Sequence, residues 1–166
     1  SIYPEPYAQE VKGRSSRRLG DLAGLTQFGA NLVMLEPGAV ASLRHWHLAE
    51  DEFAVVISGQ LVLVEDGGDI PMGPGEFAGW KAGVPNGHRF ENRSDAPASF
   101  LVVGTKAPRE VATYSDVDFG IVIEQGKPPR FTYRDGTDCS LCPPGGCARF
   151  RPATGLRGLL AKLTGR

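Results

Sequence analysis

Between Asn31 and Thr105 the apolar positions come in short runs: NLVMLEP, SLRHWHL, EFAVVIS, QLVLVED, EFAGW, HRFENR and ASFLVVGT. They are broken by PG, SG, DGGD, PGE, AGVPNG and RSDAP. Strands of about five to seven residues with turn signals every 8 to 12 residues predict a β-sandwich or barrel. No stretch in this region has helical period. The runs AVVI, LVLV and FLVV are apolar on both faces, which predicts cover on both sides, by the facing sheet and by an arm or a second subunit. A homodimer is expected on that ground.

Outside this block the pattern loosens. Residues 1–30 are polar and turn-rich, with a basic patch at Lys12, Arg14, Arg17 and Arg18, and read as an arm laid over the core. Residues 106–138, with short strands at GIVIE and RFTY, are expected to pack outside the barrel. Residues 139–166 form a cysteine-bearing basic tail, a Gly/Pro-rich linker followed by LRGLLAKLTGR. There Leu156, Leu159, Leu160 and Leu163 recur at i, i+3, i+4 and i+7 with Arg157, Lys162 and Arg166 between them, the pattern of a short basic amphipathic helix.

Composition narrows the picture. The chain has 166 residues, the size of one domain, and its 22 glycines and 13 prolines favour an all-β fold of short strands over a helical bundle. The net charge of -1 hides an asymmetry: the tail holds five basic residues and no acidic one, leaving 13 basic against 19 acidic in residues 1–138. An acidic body excludes a nucleic-acid-binding surface of the usual basic kind. No stretch reaches the roughly 18 apolar residues of a membrane span, so no stable membrane insertion is expected, and SIYPEPYAQEV lacks a signal-peptide pattern. Three cysteines are an odd number that does not suit a secreted disulfide framework. A cytoplasmic location is the expectation.

The chain has only three histidines. His45 and His47 stand one residue apart in SLRHWHL, and strand alternation projects both rings from the same face, a spacing that suits chelation. Glu52 begins the next apolar run, and if the two strands pair as a hairpin its carboxylate turns back toward the same point. His88 heads HRFENR after a turn, with His88, Phe90 and Asn92 as the inward set. Three imidazoles and one carboxylate can therefore reach one interior metal site. Asp51 is the alternative carboxylate, and the six residues from Glu52 to Gly59 favour Glu52.

These residues carry a resemblance. Residues 38–59, GAVASLRHWHLAEDEFAVVISG, resemble the first cupin motif, with Gly38, His45, His47, Glu52 and Gly59 in its positions, although six residues rather than five separate Gly38 from His45. Residues 79–92, GWKAGVPNGHRFEN, resemble the second, with Gly79, Pro85, Gly87, His88 and Asn92 in place, His88 following Gly87 directly and thus two residues early. Against a turn aligned on Lys81-Ala82-Gly83 the ligand position would be Asn86. A shift of two preserves the strand face, so His88 can still point inward. The flanking segments are similar to a subgroup of small single-domain bacterial cupins, largely of unknown function and in part labelled sugar-phosphate isomerases. The resemblance implies a double-stranded β-helix, or jelly-roll barrel, over residues 31–105, with the N-terminal arm and short C-terminal helix as appendages.

The ligand set His45, His47, Glu52 and His88 suits one divalent transition metal, Fe, Mn, Ni, Co, Cu or Zn, with about two positions open for a small-molecule ligand. Lewis-acid isomerisation of a sugar-phosphate-like substrate is one expected use and a dioxygenase reaction another. A non-catalytic metal-binding or small-molecule-binding protein is the reading from a different class. Leu43, Phe53, Trp80, Lys81, Phe90 and Asn92 are the pocket candidates, with Leu43 as an apolar wall and Ser42 pointing away. Arg44 and Arg89 alternate away from their histidine neighbours. All four tyrosines, Tyr3, Tyr7, Tyr114 and Tyr133, lie outside the barrel block, which disfavours a tyrosine general acid unless an appendage supplies it. Cys139, Cys142 and Cys147 form CxxC plus a third thiol: a flexible appendage, part of a second metal site with Asp138, or a redox cluster.

Overall fold

The computed structural model describes Tyr3 and residues 7–139. Twelve strands are present among them: β1 (Arg14–Arg18), β2 (Phe28–Leu35), β3 (His45–His47), β4 (Glu52–Ser58), β5 (Leu61–Glu65), β6 (Gly68–Met72), β7 (Phe77–Trp80), β8 (Arg89–Glu91), β9 (Ala98–Thr105), β10 (Arg109–Tyr114), β11 (Phe119–Glu124) and β12 (Arg130–Tyr133). One short helical turn, α1 (Leu19–Leu22), links β1 to β2. The strands form an antiparallel jelly roll. One wall is a five-stranded sheet in the order β1-β2-β9-β4-β7. The other consists of a four-stranded sheet, β12-β11-β10-β3, and a three-stranded one, β6-β5-β8. Isolated bridges His45–His88 and Val40–Glu91 join the two parts of this second wall.

Alternation explains which side chains fill the barrel. Val33 and Leu35 of β2, Ala54 and Val56 of β4, Leu61 and Leu63 of β5, Phe90 and Phe100 are all buried in one cluster. A second cluster, Leu43, Ala112, Tyr114, Val117, Phe119 and Ile121, is covered from the N-terminal side by Tyr3 and Tyr7. Gly59 closes the turn between β4 and β5 at φ +76°, where a Cβ would stand 2.6 Å from the Cβ of Ala98. Glycine there meets both a conformational and a steric demand.

Three expectations need correction. The segment after the barrel block does not merely pack outside it: β10 pairs directly with the histidine strand β3, in the register Ala112–His47, Thr113–Trp46 and Tyr114–His45. The arm is not only laid over the core, because β1 extends the five-stranded sheet through β2. And β3 and β4 are not a hairpin, since β4 pairs with β7 and β9 in the opposite wall. Glu52 thus meets the histidines across the barrel rather than across a turn. Among the described residues no helix is long and apolar enough to cross a membrane. Cys139 is buried, whereas Cys142, Cys147 and the amphipathic segment at Leu156–Leu163 lie outside the described residues.

Candidate metal centre and its cavity

His45 and His47 occupy the two ends of β3, and His88, 3% exposed, is held beside His45 by a reciprocal pair of backbone hydrogen bonds of 3.1 and 2.9 Å. The two-residue displacement of His88 has therefore kept it on the inner face. The rings of His45 and His47 are 5.0 Å apart and those of His45 and His88 5.1 Å. Glu52 reaches in from the facing sheet: its Oε2 lies 2.9 Å from His88 Nε2 and 3.3 Å from His47 Nε2. One ligand atom each of His45, Glu52 and His88 falls within 4.8 Å of the others. His47 touches this group through Glu52 but is not within the same 4.8 Å set of ligand atoms.

The other nitrogen of each ring faces an acceptor. His45 Nδ1 lies 2.8 Å from the Leu43 carbonyl, and His88 Nδ1 lies 3.2 Å from the Asn86 carbonyl. His47 Nδ1, fully buried and without a hydrogen bond inside normal limits, faces the Glu110 carboxylate at 3.5 Å. Acceptors at Nδ1 orient the rings so that Nε2 of His47 and His88 faces Glu52, the orientation also used by metal-binding histidines. This arrangement and the donor set of three imidazoles and one carboxylate fit a divalent transition metal.

Glu110 is the residue that sequence reading missed. It is 1% exposed and accepts hydrogen bonds of 2.8 Å from the backbone N–H groups of both Leu48 and Ala49. A signal was present: REVATY alternates, and Glu110 falls on the same face as Ala112 and Tyr114. The electrostatics follow from the geometry. Burial opposes charge on His47, but the Glu110 and Glu52 carboxylates facing its two ring nitrogens outweigh it and raise its pKa to about 10. Burial dominates at His45 and lowers its pKa to about 4. For Glu52, burial is outweighed by the hydrogen bonds from His47 and His88, so the carboxylate stays ionised well below its usual range.

A cavity of about 690 Å³ opens on this cluster. His45, His47, Glu52 and His88 line it together with Trp80, Phe90, Ser42, Arg14, Tyr3 and Tyr114. Trp80 stacks on His88 with ring centroids 3.8 Å apart and donates its indole N–H to Glu65 at 2.6 Å. Two pocket candidates, Trp80 and Phe90, are thus in the wall.

The other four are not. Phe53 follows inward-facing Glu52 and so points outward, stacked on Phe77. Lys81 follows inward-facing Trp80 and is exposed. Asn92 is buried but spent on structure, donating to the carbonyls of Leu35 and Ala96. Leu43 sits in the second core cluster because residues 41–44 bend instead of running as a strand, and Ser42 takes the place beside His45.

The charged neighbours divide similarly. Asp51 accepts from Ala82 N and belongs to the loop, while Glu50 accepts from Ala107 N and shares with His47 and Glu110 a second grouping of ligand atoms. Arg44 is held by Asp66 and Asp116, away from the site. Tyrosines do reach the cavity wall from outside the barrel block, Tyr114 from β10 and Tyr3 from the arm. The Tyr114 ring lies 6.0 Å from that of His45, and burial first, then Tyr3, keeps its hydroxyl protonated well above the ordinary range.

Comparison with known proteins agrees with this geometry. The family described as the cupin domain matches residues 31–104. A crystal structure of a sugar phosphate isomerase of the cupin superfamily from Silicibacter pomeroyi is 55% identical, covers 82% of this chain and 87% of its own, and has a TM-score of 0.80. A candidate sugar phosphate isomerase from Acidithiobacillus ferrooxidans is 27% identical over 72% of this chain and 76% of its own, with a TM-score of 0.67. The polyketide cyclase RemF from Streptomyces resistomycificus is 25% identical over 63% of this chain and 70% of its own, with a TM-score of 0.51. The comparison with curated proteins gives no match.

Proposed function

Because the chain belongs to the cupin superfamily, we propose that it is a metal-dependent isomerase acting on a small phosphorylated sugar or a closely similar polar substrate. The observation that carries the reading is the orientation of the three imidazoles. Each Nδ1 is turned to an acceptor, and the Nε2 atoms of His47 and His88 converge on Glu52 at the floor of an open cavity.

His45, His47, Glu52 and His88 would hold a divalent metal, which would supply Lewis-acid polarisation of a carbonyl or hydroxyl oxygen. The protein's own groups do the rest. Glu110 and the Leu43 and Asn86 carbonyls hold the rings in one tautomer. Tyr114, protonated and hydrogen-bonded to Tyr3, lines the cavity beside His45. Trp80 roofs His88 and keeps that side of the cluster dry. Conversion of an aldose to a ketose moves hydrogen within the substrate and requires no external oxidant, which suits a cavity whose polar wall groups are Ser42, Asn31, Tyr114 and arginines. The names of the 55% and 27% identical structures point the same way.

The test incubates protein loaded in turn with manganese, zinc and iron with a panel of aldose and ketose phosphates, followed by proton NMR. Interconversion of at least one pair, absent in the His47→Ala variant, is expected. No interconversion with any metal, together with substrate-dependent oxygen uptake by the iron-loaded protein, overturns the isomerase reading in favour of an oxygenase.

A further inference from the structure

Strand β1 runs beside β2 in the register Arg14–Leu35, Ser15–Met34, Ser16–Val33, Arg17–Leu32 and Arg18–Asn31. Leu35 and Val33 face the barrel interior, so the same alternation turns Arg14 inward and Arg17 outward. Arg14 accordingly lines the cavity that contains the histidines.

Its electrostatic situation differs from that of the other cations nearby. Arg89, in the same wall, is paired with Glu91 at 2.5 Å. In the adjoining hollow Arg18 is paired with Asp21 at 2.7 Å, and Lys106 lies 3.6 Å from the same carboxylate. The Arg14 guanidinium has no ion pair and no hydrogen bond among the described residues. Although much of its surface remains open to solvent, crowding of its guanidinium by protein lowers its pKa from the usual arginine value. A partly desolvated guanidinium that faces a cavity and has no counter-charge among the described residues is suited to hold an anion.

The distance to the cluster is bridged by aromatic side chains. Arg14 and Tyr3 line the same cavity, and the Tyr3 ring lies 5.5 Å from that of Tyr114, which in turn is 6.0 Å from His45. We propose that Arg14 is the anion-binding residue of the cavity. It grips the phosphate of a substrate whose reacting end extends past Tyr3 and Tyr114 to the cluster of His45, His47, Glu52 and His88. The inference rests on the cavity being the substrate site, and it assigns the role to the N-terminal arm rather than to the barrel. It also makes the arm a specificity element, since neutral sugars of the same shape would leave the guanidinium unpaired.

The probe is inorganic phosphate, titrated calorimetrically into the full-length metal-loaded protein and into Arg14→Gln, Arg14→Lys, Arg17→Gln and His47→Ala, with metal content measured for each. Arg14→Gln is expected to weaken phosphate binding about tenfold or more while keeping its metal, because charge-assisted contacts to a bidentate donor are lost. Arg14→Lys falls between, and Arg17→Gln, with the same change in charge on the outward face, stays within about twofold. Both Arg14 variants are checked for an unchanged unfolding midpoint, and should Arg14→Gln unfold, Arg14→Lys alone decides. Phosphate affinity unaltered by either Arg14 substitution, or lost only in His47→Ala, overturns the inference by placing the anion at the metal. Wild-type protein that holds no metal but still loses phosphate binding on Arg14→Gln instead sinks the isomerase reading and leaves the anion site standing.

Discussion

Glu110 shows most directly how one side chain sets the chemistry of another. Its two oxygens accept from Leu48 and Ala49, so the carboxylate cannot rotate, and the one beside His47 holds that ring's Nδ1 side toward itself. Replacing it by Gln keeps the volume but turns a donor toward one of the two backbone N–H groups and removes the charge facing His47. Metal affinity of Glu110→Gln, measured by competition with a chelator, is expected to fall about 10- to 100-fold, as for other groups that orient a ligand. The metal-free unfolding midpoint should shift only modestly, because one backbone contact is retained and each such bond is worth about 1 kcal/mol net. An unchanged affinity would assign Glu110 to the support of the Leu48–Ala49 turn alone. At this scale the sequence was informative where spacing is chemical: His45, Glu52 and His88 come within one group of ligand atoms, and His47 contacts Glu52 from beside it. Glu110 and Arg14 were not legible in it, because an acid and a base on separate strands acquire their roles only through pairing with β3 and β2.

The strands themselves were largely visible as apolar runs, and the inward set His88, Phe90 and Asn92 follows from alternation alone. What alternation could not supply was partnership. Strand β10 joins β3, and β1 joins β2, through contacts far apart in sequence, so the segments that read as appendages proved to be sheet. Leu43 was misplaced for a related reason: period two holds only while the chain is extended, and residues 41–44 bend. The outer face of the five-stranded sheet carries a further consequence. Phe77, Ile57, Met34 and Phe53 are 69%, 51%, 47% and 43% exposed, and Phe53 stacks on Phe77 across β4 and β7. Five strands of four to eight residues span a face of at most about 19 by 27 Å, smaller than but of the same order as the roughly 800 Å² per partner of a stable interface. We propose a second copy of the chain as the occupant, in keeping with an apolar surface of this extent. Sedimentation equilibrium is expected to give twice the chain mass and Phe77→Asp to give a monomer. A monomeric wild-type protein contradicts this.

At the scale of the whole molecule, two walls of opposite character meet over one cavity. The wall containing β3 and β8 supplies the histidines, the facing wall supplies Glu52 and Trp80, and β10 and the arm supply Glu110, Tyr114, Tyr3 and Arg14. No single element holds the site, so its geometry reports on the closure of the entire barrel. Several buried polar groups gathered this way cost stability unless something satisfies them. The Nε2 atoms of His47 and His88 face Glu52 directly, and the proposed function adds a divalent cation to this set. The most direct test is metal content by mass spectrometry of protein purified without chelators, for wild type and His47→Ala side by side. The account predicts about one divalent transition metal per wild-type chain and almost none in the variant. A wild-type protein that neither retains nor takes up such a metal, or a His47→Ala variant that holds it equally well, would contradict it.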